Sequence, residues 1–119
     1  MKKLVWIGSS YKDLKEFPLP IRQAMGYALF SAQEGRLHKH VKILSGMGSA
    51  GVQEIRENDR NGTYRVIYTV ETAEYVFVLH SFQKKSKSGI ATPKEELELL
   101  KSRLKEARML YKRLTEAGK

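Results

Sequence analysis

The chain has 119 residues and a mass of 13.6 kDa, which predicts a single domain over residues 1–119 with one hydrophobic core. It contains no cysteine, which excludes disulfides, thiolate zinc sites, iron–sulfur clusters and cysteine nucleophiles. With 22 Lys and Arg against 13 Asp and Glu, the net charge is +9, so the first partners to consider are polyanions: nucleic acid, an acidic protein or an anionic lipid surface.

The basic side chains are concentrated at the two ends of the chain. Residues 1–50 carry 8 basic and 3 acidic side chains, residues 51–83 carry 3 and 5, and residues 84–119 carry 11 and 5. No apolar stretch approaches the roughly 18–20 residues that cross a bilayer, which argues against a membrane-spanning protein. Together with the lack of cysteine, this predicts a protein of the reducing cytoplasm.

The N-terminal third predicts one strand and two helices. Residues 3–7 are rich in branched and aromatic side chains, which is typical of a strand. Ser10 can cap a short helix over residues 11–17, and Pro18 and Pro20 suit the first turn of a second helix. That second helix has an apolar face at helical spacing up to Gly35, made of Ile21, Ala24, Met25, Ala28, Leu29 and Ala32.

Residues 41–51 predict a brief strand followed by a flexible connection. Residues 41–44 are apolar enough for a short extended segment, and Gly46, Gly48 and Gly51 follow. The three glycines invite comparison with a phosphate-binding loop, but their spacing is not that of a P-loop and no Gly-Lys-Ser/Thr follows. They are interpreted as a linker.

Three strands follow in succession, over residues 52–58, 64–70 and 75–82. Asn61-Gly62 between the first two is a strong hairpin signal, so we expect an antiparallel meander. The polar lysine-rich stretch at residues 84–89 has no means of building a core and is predicted to be a loop.

The last element is predicted to be a long helix. Thr92 as N-cap, Pro93 at the first helical position and Glu95 form a helix start, and Gly118 is a stop. One apolar stripe follows a 3,4,3,4,3 rhythm: Leu97, Leu100, Leu104, Ala107, Tyr111 and Leu114. The stripe is interpreted as a core contact with the sheet, and the alternative is a coiled-coil seam.

Charged residues inside the predicted strands indicate a site. Glu54 and Arg56 share one face of their strand, Arg65 lies in the next strand, and Lys84 follows the last. Because unpaired charges are costly to bury, we expect this sheet face to be open at one end, forming a concave cationic surface that could grip RNA. The competing interpretation is a set of cross-strand ion pairs on a solvated face.

The three histidines give weaker signals. His38 and His40 form a His-x-His that could bind a metal, but the spacing indicates no third ligand. His80 is more often a packed histidine than a base. No nucleophile-elbow context supports acyl chemistry.

The order of motifs resembles the RelE/HigB toxin superfamily, most closely its phage-derived HigB-like branch. The resemblance covers nearly the whole chain and is strongest from Gly51 to Arg108. The motifs that carry it are Glu54-Ile55-Arg56, Tyr64-Arg65-Val66-Ile67-Tyr68, Phe82-Gln83-Lys84-Lys85, Thr92-Pro93 and Ala107-Arg108.

The resemblance implies a RelE-like α+β fold: an antiparallel β-sheet with two N-terminal helices packed on one face and a long C-terminal helix. It also implies the toxin of a type II toxin–antitoxin pair, inhibited by a helix-turn-helix antitoxin of the HigA type. Such toxins cleave mRNA, typically on the ribosome, by driving the ribose 2′-OH onto the adjacent phosphate, with no cofactor and no metal.

The resemblance also assigns residues to roles. Arg56 and Arg65 match strand residues that contact phosphate, and Lys84 or Lys85 matches the basic position that faces the leaving group. Glu54 departs from the pattern, because its position is basic in the best-studied RelE members, where it is linked to proton abstraction.

The chemistry of RNA cleavage indicates which role each residue of the predicted site could have. A metal-free ribonuclease needs a base for the 2′-OH, a cation for the phosphorane and an acid for the 5′-oxygen. Glu54 can be the base, Arg65 is the best candidate for the cation, and a lysine or His80 could be the acid. The predicted RNA-binding set is Arg56, Arg65, Lys84, Lys85, Lys87 and His80.

Two other function classes stay open at this point. One is a noncatalytic phage-derived module that binds RNA or an acidic protein by charge, and the other is a structural phage component, for which the basic strand residues have no explanation.

Overall fold

The computed structural model describes residues 1–84 and 94–117. In chain order the elements are β1 (Lys3–Trp6), α1 (Ser10–Lys15), α2 (Leu19–Gln33), β2 (Val41–Ile43), β3 (Val52–Asp59), β4 (Gly62–Thr69), β5 (Tyr75–Lys84) and α3 (Lys94–Ala117). The predicted succession of elements is confirmed. The predicted helix start at Thr92 and Pro93 and the stop at Gly118 lie outside the described residues.

The five strands form one mixed sheet in the order β1-β5-β4-β3-β2. Strands β2 to β5 are antiparallel neighbours, which confirms the predicted meander. The hairpin between β3 and β4 closes where Asp59 pairs with Gly62, and the Asp59 carboxylate accepts a hydrogen bond from the Asn61 N–H. Strand β1 differs from its neighbours, because it pairs in parallel with β5, so the sheet is not wholly antiparallel.

Helices α1 and α2 cover one face of the sheet, as predicted. Their apolar side chains pack against alternate residues of the central strands and form one hydrophobic cluster. Its fully buried members include Met25 and Leu29 from α2, with Ile55, Val66 and Val78 from three strands.

Helix α3 covers the opposite face. Leu100, Leu104 and Ala107 are buried against Ile67, Phe77 and Leu79 of the sheet, which confirms the interpretation of the apolar stripe as a core contact. The stripe ends earlier than predicted, because Leu114 is 36% exposed. Within residues 1–84 and 94–117, no helix has both the length and the apolar character that a membrane span requires.

A β-bulge in β5 changes which side chains face α3. Ile67 pairs with His80 and Tyr68 pairs with Val78, so Leu79 is the extra residue of β5. Leu79 packs in the cluster under α3, and His80, opposite Ile67, faces the same side. The bulge therefore turns His80, and by alternation Phe82 and Lys84, to the α3 side.

Candidate functional site

The strand register brings the predicted cations together. Arg56 pairs directly with Arg65, and Arg65 pairs with Phe82 on its other side. Directly paired residues project from the same face of an antiparallel sheet, here the α3 face. Lys84 lies one side-chain row further along that face. The predicted convergence of Arg56, Arg65 and Lys84 on one side is therefore present, while Lys85 and Lys87 lie outside the described residues.

Glu54 lies between the two arginines. Arg56 Nη2 donates to Glu54 Oε1 at 2.8 Å, and Arg65 Nη1 lies 3.4 Å from Glu54 Oε2. One carboxylate thus bridges two guanidinium groups, and this charge cluster of Glu54, Arg56 and Arg65 keeps a net positive charge. Both interpretations of the sequence agree with part of this geometry. The residues form cross-strand ion pairs, and they also bring positive charges close together.

The centre of this cluster is closed to solvent, and its Arg56 end is open. The side chains of Glu54 and Arg65 are both 0% exposed, whereas that of Arg56 is 22% exposed. Only the Arg56 edge of the cluster is therefore in contact with solvent. Sequence alternation placed Glu54 and Arg56 on one face, but it does not say whether Arg65 joins them or what lies above them.

Burial sets the electrostatics of Arg65. Removal from water lowers the pKa of its guanidinium, an effect that the Glu54 carboxylate opposes and that neighbouring Arg56 reinforces. Arginine still keeps its proton in proteins, so Arg65 is a buried cation that depends on its carboxylate partner.

Lys42 is a member of this surface that sequence reasoning missed. It pairs with Glu54 in the register of β2 and β3, so it projects from the same face, and it is exposed. The position of Lys42 follows from the register of β2, an edge strand of three residues, and the sequence alone does not supply that register.

His80 is a packed histidine with both ring nitrogens engaged. Arg103 Nη1 on α3 lies 3.1 Å from His80 Nδ1, and His80 Nε2 contacts a carboxylate oxygen of Glu96. Because arginine can only donate, Nδ1 accepts and the ring proton of the neutral form lies on Nε2, facing Glu96. The ring also stacks on Phe82, with centroids 4.8 Å apart.

The surroundings of His80 favour its neutral form. Burial is the main cause that lowers its pKa, and the charge of Arg103 acts in the same direction. Glu96 and, more weakly, Asp13 oppose this shift. His80 is 7% exposed, on the side of the sheet that α3 covers.

Arg103 joins three elements and was not singled out from the sequence. Besides His80 it donates to the carbonyl of Leu79 at 2.9 Å and to Ser9 Oγ at 3.2 Å. Its guanidinium packs against Gly8, where the backbone has φ of 54° and an added Cβ would lie 3.0 Å away. A side chain at Gly8 would therefore displace this contact.

The histidines proposed as a metal pair have other contacts. His40 Nδ1 lies 2.6 Å from a Glu57 oxygen, and the His38 ring packs edge-on against Tyr27. Across the described ranges 1–84 and 94–117, no group of three or more His, Cys, Asp and Glu side chains could hold a metal ion.

The fold and the charge cluster define an α+β protein consistent with a RelE-like fold, in which a mixed sheet presents basic strand residues beneath a long C-terminal helix. The chain belongs to the family described as Phage derived protein Gp49-like (DUF891), whose model matches residues 12–105. This family is known for RelE-like toxins, and the matched range includes the whole charge cluster and Lys84. Comparison with curated proteins gives no match.

Proposed function

We propose that this protein is the toxin of a type II toxin–antitoxin pair, of the HigB-like branch, and that it cleaves mRNA on the ribosome. The observation that carries the proposal is that Arg56, Arg65 and Lys84 project from one face in adjacent rows of three paired strands, with Glu54 as the bridging carboxylate. Membership of the Gp49-like family supports it independently.

The proposed reaction is an internal transesterification of RNA. The ribose 2′-oxygen loses its proton to a base and attacks the adjacent phosphorus, while the bond from phosphorus to the 5′-oxygen breaks and that oxygen takes a proton. The products are a 2′,3′-cyclic phosphate and a 5′-hydroxyl. Negative charge grows on the phosphoryl oxygens in between, so a fixed cation there stabilises the transition state.

Exposure assigns different roles to the members of the charge cluster. Arg56 is the arginine that solvent reaches, so we assign it the direct contact with the phosphate, by donation from its planar guanidinium. Lys84, half-buried one row away, is placed to neutralise or protonate the leaving 5′-oxygen.

Glu54 and Arg65 act as positioning residues in this proposal. Both are fully buried, and the Glu54 carboxylate holds the Arg56 guanidinium in place through one hydrogen bond. A carboxylate that is bonded to two guanidinium groups and shielded from solvent is poorly placed to take the 2′-OH proton. The proton acceptor therefore lies outside Glu54 and His80.

This assignment of roles is the reason that the proposal includes the ribosome. A single accessible arginine supplies charge but little alignment of the 2′-oxygen, phosphorus and 5′-oxygen. Ribosomal RNA and the codon in the decoding site can supply that alignment. The partners of this cytoplasmic toxin would then be mRNA on the ribosome and a HigA-like helix-turn-helix antitoxin.

The decisive variant is Arg56→Gln, because it removes the partly exposed cation and leaves the buried pair of Glu54 and Arg65 in place. We expect it to reduce cleavage of mRNA on programmed ribosomes by about 100-fold or more, since it removes a transition-state donor. Primer extension across the cut site measures this rate. The matched control is Arg22→Gln, an exposed arginine on α2 at the opposite face of the sheet.

The burial and partial neutralisation of the charge cluster favour one alternative, a noncatalytic module that binds RNA by charge. On that alternative the wild-type protein binds RNA but produces no new 5′-hydroxyl ends on ribosomes. Equal cleavage by wild type and Arg56→Gln would likewise contradict the catalytic proposal.

A further inference from the structure

Helix α3 carries a basic stripe at one side of its core-facing surface. Lys101, Lys105, Arg108 and Lys112 follow the spacing i, i+4, i+7 and i+11, which places all four on one helical face. The stripe is about 16 Å long at 1.5 Å of rise per residue. It lies away from the charge cluster in sequence and belongs to a different element.

The stripe borders a groove with an apolar floor. The groove has a volume of 460 Å³ and is lined by the four cations together with Met47, Leu104 and Met109. Met47 and Leu104 form part of the core, whereas Met109 is 54% exposed. An exposed methionine beside buried apolar side chains makes an adaptable apolar surface.

One cation of the stripe is held in place by the protein itself. Arg108 donates to both carboxylate oxygens of Glu71 at 3.1 and 2.5 Å, and Glu71 also accepts from Ser49 Oγ at 2.7 Å. Within the parts of the chain that the structure describes, Lys101, Lys105 and Lys112 have no carboxylate at ion-pair distance. Arg108 is therefore fixed by the protein's own carboxylate, whereas Lys101, Lys105 and Lys112 can pair with the carboxylates of a partner.

We propose that this groove binds an acidic amphipathic helical segment of a protein partner. Carboxylates spaced at one or two helical turns would meet the lysines, while the apolar face of the same segment would fill the floor around Met109. If the proposed function holds, the antitoxin is the partner that carries this segment.

Charge complementarity and the apolar floor decide between possible occupants. A second copy of this chain would bring another net charge of +9 to a basic surface, which opposes association. The RNA backbone would satisfy the lysines, but RNA bases stack on aromatic rings, and the residues that line this groove include none. An acidic amphipathic helix satisfies both features.

The test uses the full chain and a designed peptide. The probe is a labelled helix-forming peptide of about 15–20 residues with glutamates beside one leucine face, and its control is a peptide of the same composition with the positions shuffled. Fluorescence anisotropy, without RNA or ribosomes, measures binding to wild type and to three variants. These are Lys105→Glu/Lys112→Glu, Met109→Ala, and the charge-matched control Lys12→Glu/Lys39→Glu, whose lysines are exposed on α1 and in the turn before β2.

We expect the α3 charge reversal to weaken peptide binding by about tenfold or more and Met109→Ala to weaken it several-fold, with the control variant near wild type. The proposal is overturned if the shuffled peptide binds equally well or if both double variants lose equal affinity. It is also overturned if the α3 reversal abolishes binding of a single-stranded oligoribonucleotide but not of the peptide. Because cleavage is not part of the readout, failure of the catalytic proposal leaves this result unaffected.

Discussion

Glu54 is the residue on which the geometry of the charge cluster depends. It is fully buried and is the carboxylate partner that Arg56 and Arg65 share. Removing one partner of a buried ion pair leaves an uncompensated charge, so Glu54→Gln should lower the free energy of unfolding by about 3–5 kcal/mol. Urea denaturation measures the change.

The matched control for that substitution is Glu34→Gln, in the exposed pair of Glu34 with Arg36. Exposed pairs contribute little, so this variant should stay within about 1 kcal/mol of wild type. Equal effects of the two substitutions would contradict the assignment of Glu54 as the buried partner of Arg65.

His80 should make the stability of the protein depend on pH, and the direction of its pKa shift gives the sign of that dependence. Its pKa is lowered in the folded chain, mainly by burial, while the unfolded chain takes up a proton near the ordinary value of about 6.5. Between the folded and unfolded pKa values the unfolded state binds more protons, so stability rises with pH there. His80 therefore stabilises the fold fully above about pH 6.5, and this stabilisation is lost as the pH falls towards the folded pKa.

His80→Gln tests this dependence, because the amide can accept from Arg103 and donate to Glu96 without titrating. The difference in urea midpoint between about pH 5 and pH 7.5 should be smaller in this variant than in wild type. His40→Gln, which removes an exposed histidine, serves as the control. The interpretation is wrong if both variants keep the wild-type dependence.

At the scale of single residues, the sequence predicted which residues form the charge cluster but not that they are buried. Alternation along β3 is a local property and places Glu54 and Arg56 on one face, and the register of β3 with β4 adds Arg65. Exposure depends on what covers the strands in the folded chain, which alternation along a strand does not encode. The preference for a packed His80 over a base agrees with its two engaged nitrogens, although its contact with Arg103 is separated by 23 residues and has no local signal.

Among the elements, the docking of α3 on β5 depends on Arg103. Its guanidinium binds the Leu79 carbonyl at the bulge, His80 Nδ1 and Ser9 Oγ, and so connects α3 to the sheet and to the segment before α1. Arg103→Met should lower the free energy of unfolding by about 2–3 kcal/mol, since hydrogen bonds to charged groups contribute more than neutral ones. Amide hydrogen exchange in α3 should accelerate at the same time.

Arg113→Met provides the comparison on the same helix, because Arg113 is exposed near the other end. Surface substitutions of this kind usually change stability by no more than about 0.5 kcal/mol. If Arg103→Met and Arg113→Met have the same stability and the same exchange rates, Arg103 does not hold α3 on the sheet.

The elements that sequence predicted well are those with local signals. Asn61-Gly62 marks the hairpin turn and Pro18 and Pro20 mark the start of α2 through backbone geometry, and the observed bounds lie close to the predicted ones. The parallel pairing of β1 with β5 joins Lys3 to Tyr75, and the bulge places Leu79 in the cluster under α3. Neither the parallel pairing nor the bulge produces a recognisable pattern in the sequence of a single strand.

At the scale of the whole molecule, the sheet separates two helical layers and gives its two faces different charge. The face under α1 and α2 is mainly apolar, whereas the face under α3 holds the charge cluster, and the basic stripe lies on α3 itself. The uneven charge along the sequence predicted a polyanion partner but not this division. The division arises because the hairpin of β3 and β4 and the distant helix α3 contribute to one side of the sheet.

This arrangement predicts that RNA binding depends on where a positive charge lies as well as on the net charge. An oligoribonucleotide with 2′-O-methyl groups binds without being cut, so its affinity can be measured across salt concentrations by anisotropy. If Arg56 contacts one phosphate, Arg56→Gln should make the slope of log affinity against log salt less negative by about 0.7, the value for one contact to single-stranded nucleic acid. Arg22→Gln makes the same change in net charge from α2, on the other side of the sheet, and should leave the slope near wild type. Equal slopes for the two variants would mean that the RNA responds to overall charge, and this would contradict the proposal that the charge cluster binds RNA.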